Sequence, residues 1–411
     1  MPANKYRWVI LILSYLCMLV FALTLQSLPP ILTLVIKDLR LPYAEAGSLM
    51  SLFALPAMLL SIPAGLLADR FGPFRIGMLS LILAVIGMSV IVVSGTFLYI
   101  SSGRVIAGIG AVIISIVSAQ TLSQWFRGRE AGTAMGIWNT AMPVGTIICF
   151  TSFGKLGESF GWRMPISIVV IMGIVVLASF LLLYRNAPNL PQKVQAGEGW
   201  ARLLSKVPKV GAHIWLTGLC WMWFNAAIIS FSTFAPDFFI SKGYNIGFAG
   251  FLVSLLMWGS LGFSPVIGRL VDKVYNNDIF IGGGGLILSI AIYLVVTSTD
   301  YLFPMAVMSV AVALVPAPVF SFVSRVSEPE NVGLGFGILS SLSGVGMSFG
   351  PYLAGAIRDK TSSYEMSFYF LSILALLVAT TAFTLRIMTR RIAQDRDQRA
   401  HSLREDLSLE S

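Results

Sequence analysis

The chain has 411 residues, 56% of them hydrophobic and only 11% charged, with a mean hydropathy of +0.83. Soluble domains carry about 25% charged residues, so composition excludes a soluble globular protein. The net charge of +9 would suggest nucleic acid in a soluble chain, but the cations crowd into loops and the tail. A bilayer accounts for them there, and no nucleic-acid partner is expected.

In chain order, apolar runs separated by charged or Gly/Pro-rich turns give twelve expected spans. They lie near 8–36, 43–68, 76–96, 98–124, 131–153, 163–184, 214–240, 246–271, 279–298, 302–324, 332–356 and 364–386. Each approaches or exceeds the roughly 20 residues that a bilayer crossing needs. The first run is too long for the apolar core of a cleaved secretory signal and ends in Pro29-Pro30 without a small-residue cleavage site, so it reads as a retained span. Residues 188–212, with Pro191, Lys193, Glu198 and Pro208, read as a link between two halves, 1–187 and 213–388. Trp200-Ala-Arg-Leu-Leu within the link suits a short helix on the membrane surface. Residues 389–411 are polar and of mixed charge and are expected to fray into a disordered tail.

Counting Lys and Arg loop by loop sets the orientation. With the N-terminus inside, 20 of the 28 cations fall on the cytoplasmic side and 7 outside, and Arg104 lies within a span. The positive-inside rule then places both termini in the cytoplasm, as an even number of spans requires. Cys17, Cys149 and Cys220 all fall in apolar runs, which argues against a disulfide framework. His213 and His401 lie near charged loops, so neither a metal site nor a cofactor is expected.

The chain repeats itself. Gly65-Leu-Leu-Ala-Asp69-Arg70-Phe71-Gly72 returns, weakened, as Gly268-Arg-Leu-Val-Asp272-Lys273, 203 positions later. Gly132, Gly136 and Gly145 align with Gly333, Gly337 and Gly346 at an offset of 201. A charged turn and a glycine-spaced helix repeated together point to a duplicated six-helix unit, a common plan for alternating-access carriers. In the turn, Gly65 permits close helix packing and Gly72 the positive φ of a reversal. Asp69 can cap a neighbouring helix or pair with a cation, and Arg70 and Arg75 anchor topology. A bonded Asp69 would hold a cytoplasmic gate shut in one state and release it in the other. The alternative is a plain topology determinant.

The Gly-x-Leu-Ala-Asp-Arg-x-Gly turn between spans two and three resembles the hallmark loop of the major facilitator superfamily, and Gly268-x-x-x-Asp272-Lys273 stands where that family has its second copy. Pro73-Phe74 replaces the family's basic pair, with Arg75 following. Arg104-x-x-x-Gly108-x-Gly110-Ala111 resembles the family's arginine motif in span four. Gly346-x-x-x-Gly350-Pro351-x-x-Ala354-Gly355 resembles the Gly-Pro helix motif that drug antiporters carry in span five. The resemblance implies an all-α membrane protein of twelve transmembrane helices in two pseudo-symmetric six-helix halves.

Within the spans, Arg104 is the only Lys or Arg at depth, and an intramembrane arginine is by default a functional candidate. Two readings are open: a cavity-facing role in substrate or proton handling, or a structural bond to backbone carbonyls. Stripes at helical spacing place Gln26 in span one, Asn139 in span five and Asn225 in span seven, where each amide could bind solute or bond across helices. Trp138 and Trp221 are candidate pocket walls. Gly132, Gly136, Gly337, Gly346, Gly350 and Pro351 are expected to let helices pack closely or bend. Spans one, four, seven and ten carry no acid at mid-depth; Asp237 closes span seven and Glu45 opens span two. Proton coupling would then use a peripheral acid or the substrate's own charge, and a uniporter would use neither. The spans show no catalytic constellation of His, Asp, Glu or a Ser–Lys dyad, so no enzyme is expected.

These features together predict a multi-pass protein, expected in the plasma (inner) membrane and functional as a monomer. It would carry a small neutral or monoanionic organic solute, such as a carboxylate, by alternating access, with protons as a candidate coupling ion. The alternative is a proton-coupled antiporter that exports hydrophobic compounds.

Overall fold

The computed structural model describes residues 3–126, 130–187, 210–274, 277–326 and 332–409, and within these the side chains of Ile62, Gly65, Leu66, Asp69, Asp272 and those beyond Thr389, among others, are left out. The link at 188–209, with its expected surface helix, lies outside the described residues. Every regular element among the described residues is a helix.

The first rod is broken. Helix α1 (Ala3–Gln26) gives way to a 3₁₀ turn (Pro29–Ile31) and then α2 (Leu32–Leu39). The cause is chemical: Pro29 and Pro30 have no N–H, so the carbonyls of Leu25 and Gln26 lose the donors four residues on. Helix α3 (Tyr43–Phe71) reverses into α4 (Pro73–Val93) through Gly72 alone. Its φ of +87° is one that a side chain would resist. Pro73 opens α4 at a position where its missing N–H costs nothing.

Helix α5 (Phe97–Trp125) follows, and the fifth rod is built in pieces: α6 (Ala131–Asn139), α7 (Ala141–Ile148), a π-helical turn (Cys149–Phe153) and α8 (Gly154–Phe160). Helix α9 (Arg163–Leu183) closes the first half. The second half contains α10 (Ala212–Ser241), α11 (Ile246–Val274), α12 (Asn277–Thr297), the pair α13 (Leu302–Leu314) and α14 (Pro316–Val326), α15 (Val332–Thr361) and α16 (Tyr364–Leu409). Where composition suggested a disordered tail, α16 continues to Leu409. No Gly or Pro follows Gly355, and the segment is rich in Ala, Leu, Arg and Gln, so nothing in it breaks the helix.

Among the described residues, ten helical stretches are long and apolar enough to cross a membrane. The expected spans at 131–153 and 332–356 are not among the ten. The first is divided into short helices, and the second has glycine and serine in place of bulky apolar residues.

Each half packs on itself, α4 and α1 against α5 in the first, α12 and α10 against α16 in the second. The halves meet along three seams. Helix α3 lies along α15; α11 lies against α7, the π turn and α8; and α10 touches the 3₁₀ turn and α2. The backbones come very close at two of these seams. A Cβ on Gly47 would strike the carbonyl of Pro351, and one on Gly250 the carbonyl of Phe150.

Candidate functional site

Arg104 anchors the centre of the first half. Its side chain is 0% exposed and is the largest fully buried one among the described residues. Nη1 donates to the Thr24 carbonyl at 2.8 Å, Nη2 to that of Leu25 at 3.3 Å, and Nε to that of Leu49 at 3.0 Å. The guanidinium also lies 4.4 Å from the Phe53 ring centroid and 3.2 Å from Met50 Sδ. The Leu25 carbonyl is one that the Pro29–Pro30 break leaves without its backbone donor. Thr24 and Leu25 lie at the negative end of the α1 dipole, where a cation is favoured. Here the side chain binds α5 to α1 and α3 through their backbone carbonyls.

The break that Arg104 supports also positions Gln26. This amide is 1% exposed, and neither Oε1 nor Nε2 has a hydrogen-bond partner. It follows Leu19 and Ala22 on one helical stripe, and those two residues lie against Gly145 of α7. The stripe therefore faces the fifth rod near its π turn. Buried amides without partners are rare, and π turns inside helices recur at functional sites. Nothing in the sequence signalled the π turn.

The remaining candidates divide between two helices. On α10, Asn225 donates Nδ2 to the Trp221 carbonyl at 2.8 Å, satisfying its own helix rather than a neighbour. Trp221 stacks on Phe224 at 5.4 Å and meets Phe320 edge-on at 5.3 Å, and Phe320 lies against Phe336. On α6, Trp138 donates Nε1 to Ser118 Oγ of α5 at 3.2 Å, while Asn139 is exposed. Arg104 and Gln26 thus form one centre and Trp221 with Asn225 a second, while Trp138 and Asn139 lie on a separate surface.

That surface lies on the fifth rod. Gly132, Gly136, Asn139 and Pro143 continue the helical stripe that at Phe150 touches Gly250 of α11. Helix α6 packs on α1, α5 and α7 of its own half. A Cβ on Gly132, Gly136, Gly262 or Gly268 would meet nothing within 4 Å, and Trp258 of α11 is 53% exposed. The fifth rod and α11 thus touch at one end of the bundle and diverge toward the end that holds both termini. Close packing was expected of Gly132 and Gly136; instead they flank open space. Gly346 and Gly350 do pack, against Met222 and Ala226 of α10, and Pro351 lies against Gly47. Gly337 is half-buried in α15.

At the end where the helices diverge, Arg70 is exposed with its guanidinium 5.3 Å from the Phe71 ring, and Arg75 and Lys273 are also exposed. Gly65 and Gly268 are helical. The side chains of Asp69 and Asp272 lie outside the described residues.

The opposite end, far from the termini, is closed by bonds between the halves. Asp359 of α15 accepts hydrogen bonds from the N–H groups of Tyr43 (2.9 Å) and Ala44 (2.7 Å), capping α3 from the other half. Asp237 accepts one from Thr33 at 2.6 Å and another from Tyr364, whose hydroxyl lies 3.0 Å from that of Tyr43. Sequence reasoning noted only that Asp237 ends a span.

Comparison with known proteins fits this architecture. A lysosomal dipeptide transporter, MFSD1, from Danio rerio is 22% identical, with 89% of this chain and 84% of that protein aligned. A nitrite extrusion protein from Bacillus subtilis (strain 168) is 24% identical over 82% of this chain and 84% of its own. Among solved structures, a bacterial homolog of the human lysosomal transporter Spinster superposes with a TM-score of 0.80 at 16% identity, covering 92% of this chain and 97% of that one. A mutant of the nucleoside transporter NupG gives 0.76 at 14% identity, with 93% and 99% covered. All four are transporters and none is an enzyme. A family model for the Major Facilitator Superfamily matches residues 14–301 and 241–407, and the chain belongs to that family.

Proposed function

We propose that the chain is a secondary carrier that moves a small organic solute by alternating access, with twelve crossings and both termini in the cytoplasm. The observation that carries this reading is the asymmetry between the two ends. Cross-half bonds from Thr33, Tyr43, Asp237 and Asp359 close the far end, while α6 and α11 stand apart at the termini end. A carrier caught open toward the cytoplasm has this form. The two further crossings of this reading are 131–160 and 332–361, supported by their close glycine contacts with neighbouring helices. The Gly65–Gly72 turn and its Gly268 copy are the gate elements of the open end.

Gln26 is the residue assigned to solute, because its buried amide has a donor and an acceptor both unused. Arg104 holds that amide in place rather than touching the solute. A group that presents an acceptor beside a donor, such as a peptide unit, matches the amide. Relatives that transport dipeptides support placing short peptides first among test ligands. A second reading, antiport of hydrophobic compounds, is favoured by the Trp221, Phe224, Phe320 and Phe336 rings.

The test is a thermal-shift screen of the purified protein against dipeptides, carboxylates, sugars and cationic dyes, followed by flux in proteoliposomes. Ligands of the folded state raise its apparent stability. Stabilisation by dipeptides with flux supports the first reading. Response to dyes alone supports the second, and binding without flux of any stabilising compound sinks the carrier assignment.

A further inference from the structure

We propose that the groove between the fifth rod and α11 at the far end binds the headgroup of an anionic membrane phospholipid, and that the bound lipid holds this end shut; the second clause rests on the carrier reading. The groove has a volume of about 390 Å³. Thr151 and Lys155 of the first half line it, with Asn245, Gly247, Phe248 and Phe251 of the second.

Its charge is one-sided. Lys155 is exposed and forms no ion pair or hydrogen bond with a described residue, although Glu158 stands one turn along the same helix. Asn245 uses Oδ1 to accept the N–H of Phe248 at 2.8 Å, which leaves the Nδ2 hydrogens without an acceptor among the described residues. Thr151 gives its hydroxyl hydrogen to the Ile147 carbonyl at 2.7 Å. No carboxylate lines the groove. The hydrogens still to be given thus come from an ammonium and an amide, and an anionic oxygen is the group they fit. Lys155 reaches this position because Gly247 has no side chain: a Cβ there would lie 2.2 Å from Lys155 Cε. The lysine stem therefore lies across the boundary between the halves.

The order of chemistry with depth separates a lipid from a free anion. The fifth rod runs toward the far end and α11 runs away from it, so Lys155 and Asn245 stand at the outer rim and Ile148 and Phe251 lie deeper. Ile148 is 39% exposed and Phe251 40%. Donors above exposed apolar side chains match a phosphate above acyl chains, and basic pockets between spanning helices hold lipid headgroups in this way. A free phosphate would meet only the rim. Because the walls come from both halves, parting them at this end carries Lys155 away from Asn245 and Phe251. A lipid that binds only the assembled site shifts the population toward the closed far end.

The first measurement is native mass spectrometry of the full-length protein in detergent, titrated with phosphatidylglycerol or phosphatidylcholine. The expected result is a saturable phosphatidylglycerol adduct about tenfold tighter than that of phosphatidylcholine, the worth of one charge-assisted hydrogen bond. Lys155→Gln should bring the two lipids level and Lys155→Arg should keep them apart. Lys37→Gln, which removes another exposed cation at the same end, should leave the preference intact. Equal binding of both lipids by the parent overturns the proposal, as does a preference that survives Lys155→Gln or is lost in Lys37→Gln. Inorganic phosphate that displaces the lipid at equal concentration would give the donors to a free anion and overturn it too. The second measurement uses nanodiscs, with the three native cysteines replaced and spin labels at Leu98→Cys and Thr299→Cys. Both positions are exposed at the far end, one in each half. Adding phosphatidylglycerol to phosphatidylcholine should lower the population of the long inter-label distance in the parent and leave Lys155→Gln unchanged. A parent distribution indifferent to the added lipid would overturn its hold on the closed end. Neither readout requires a solute to move, so failure of the carrier reading in flux assays is seen separately.

Discussion

Two residues at the same break in α1 carry opposite expectations. Arg104 supplies donors to the carbonyls of Thr24, Leu25 and Leu49, so Arg104→Leu leaves them bare in a dry interior. Each unmet carbonyl costs about 1–3 kcal/mol, set against the relief of no longer burying a charge. The expected outcome is a clear drop in melting temperature and an equal loss of flux for charged and neutral solutes. Loss confined to carboxylates would return Arg104 to the solute. Gln26→Leu should do the reverse, because it removes a buried amide that bonds to nothing. Its melting temperature is expected to match or exceed the parent's, while the shift produced by a bound dipeptide disappears. A destabilised variant that kept the ligand shift would refute the role given to Gln26. The sequence identified both residues, since an arginine at depth and an amide before two prolines stand out. It could not tell which of them faces solute, because Arg104 meets its acceptors on residues 55 to 80 positions away.

The elements were mostly legible, and the exceptions have reasons. The ends of α1 and α3 follow from Pro29-Pro30 and Gly72-Pro73, whose backbone chemistry is local. The π turn at Cys149–Phe153 depends on how the fifth rod meets α11, which no local signal encodes. The same seam supports a prediction. Phe150 presents its carbonyl directly to Gly250, so any side chain at position 250 must push the rods apart. Gly250→Val should cost about 1–3 kcal/mol of overpacking in the closed far end and nothing once that end has opened. That difference shifts a two-state ratio by about 5–150-fold. Spin labels on Leu98→Cys and Thr299→Cys would read it as a gain in the long distance. A variant with the parent's distance distribution would show that this seam does not govern closure.

At the scale of the whole molecule, the internal repeat announced two halves, but their pairing depends on contacts the sequence does not display. Thr33 and Asp237 stand 204 positions apart, Tyr43 and Tyr364 321. Residues so distant reveal no spacing rule, which is why the closed end was invisible beforehand while the charged turns of the open end were not. The open end makes the last prediction. Asn139 is exposed on the stripe that faces α11, and Gly262 and Gly268 opposite it border empty space. In a background without Cys17, Cys149 and Cys220, which are all buried, Asn139→Cys should react with a bulky, membrane-impermeant maleimide added from the side of the termini. The same reagent on the far side should leave it untouched. Adding Gly250→Val should protect the cysteine, because rocking about the α3–α15 and α7–α11 seams opens one end only as the other closes. Equal reaction from both sides would mean a pore rather than a carrier. Reaction from the far side alone would place the termini outside and invert the orientation drawn from the Lys and Arg count.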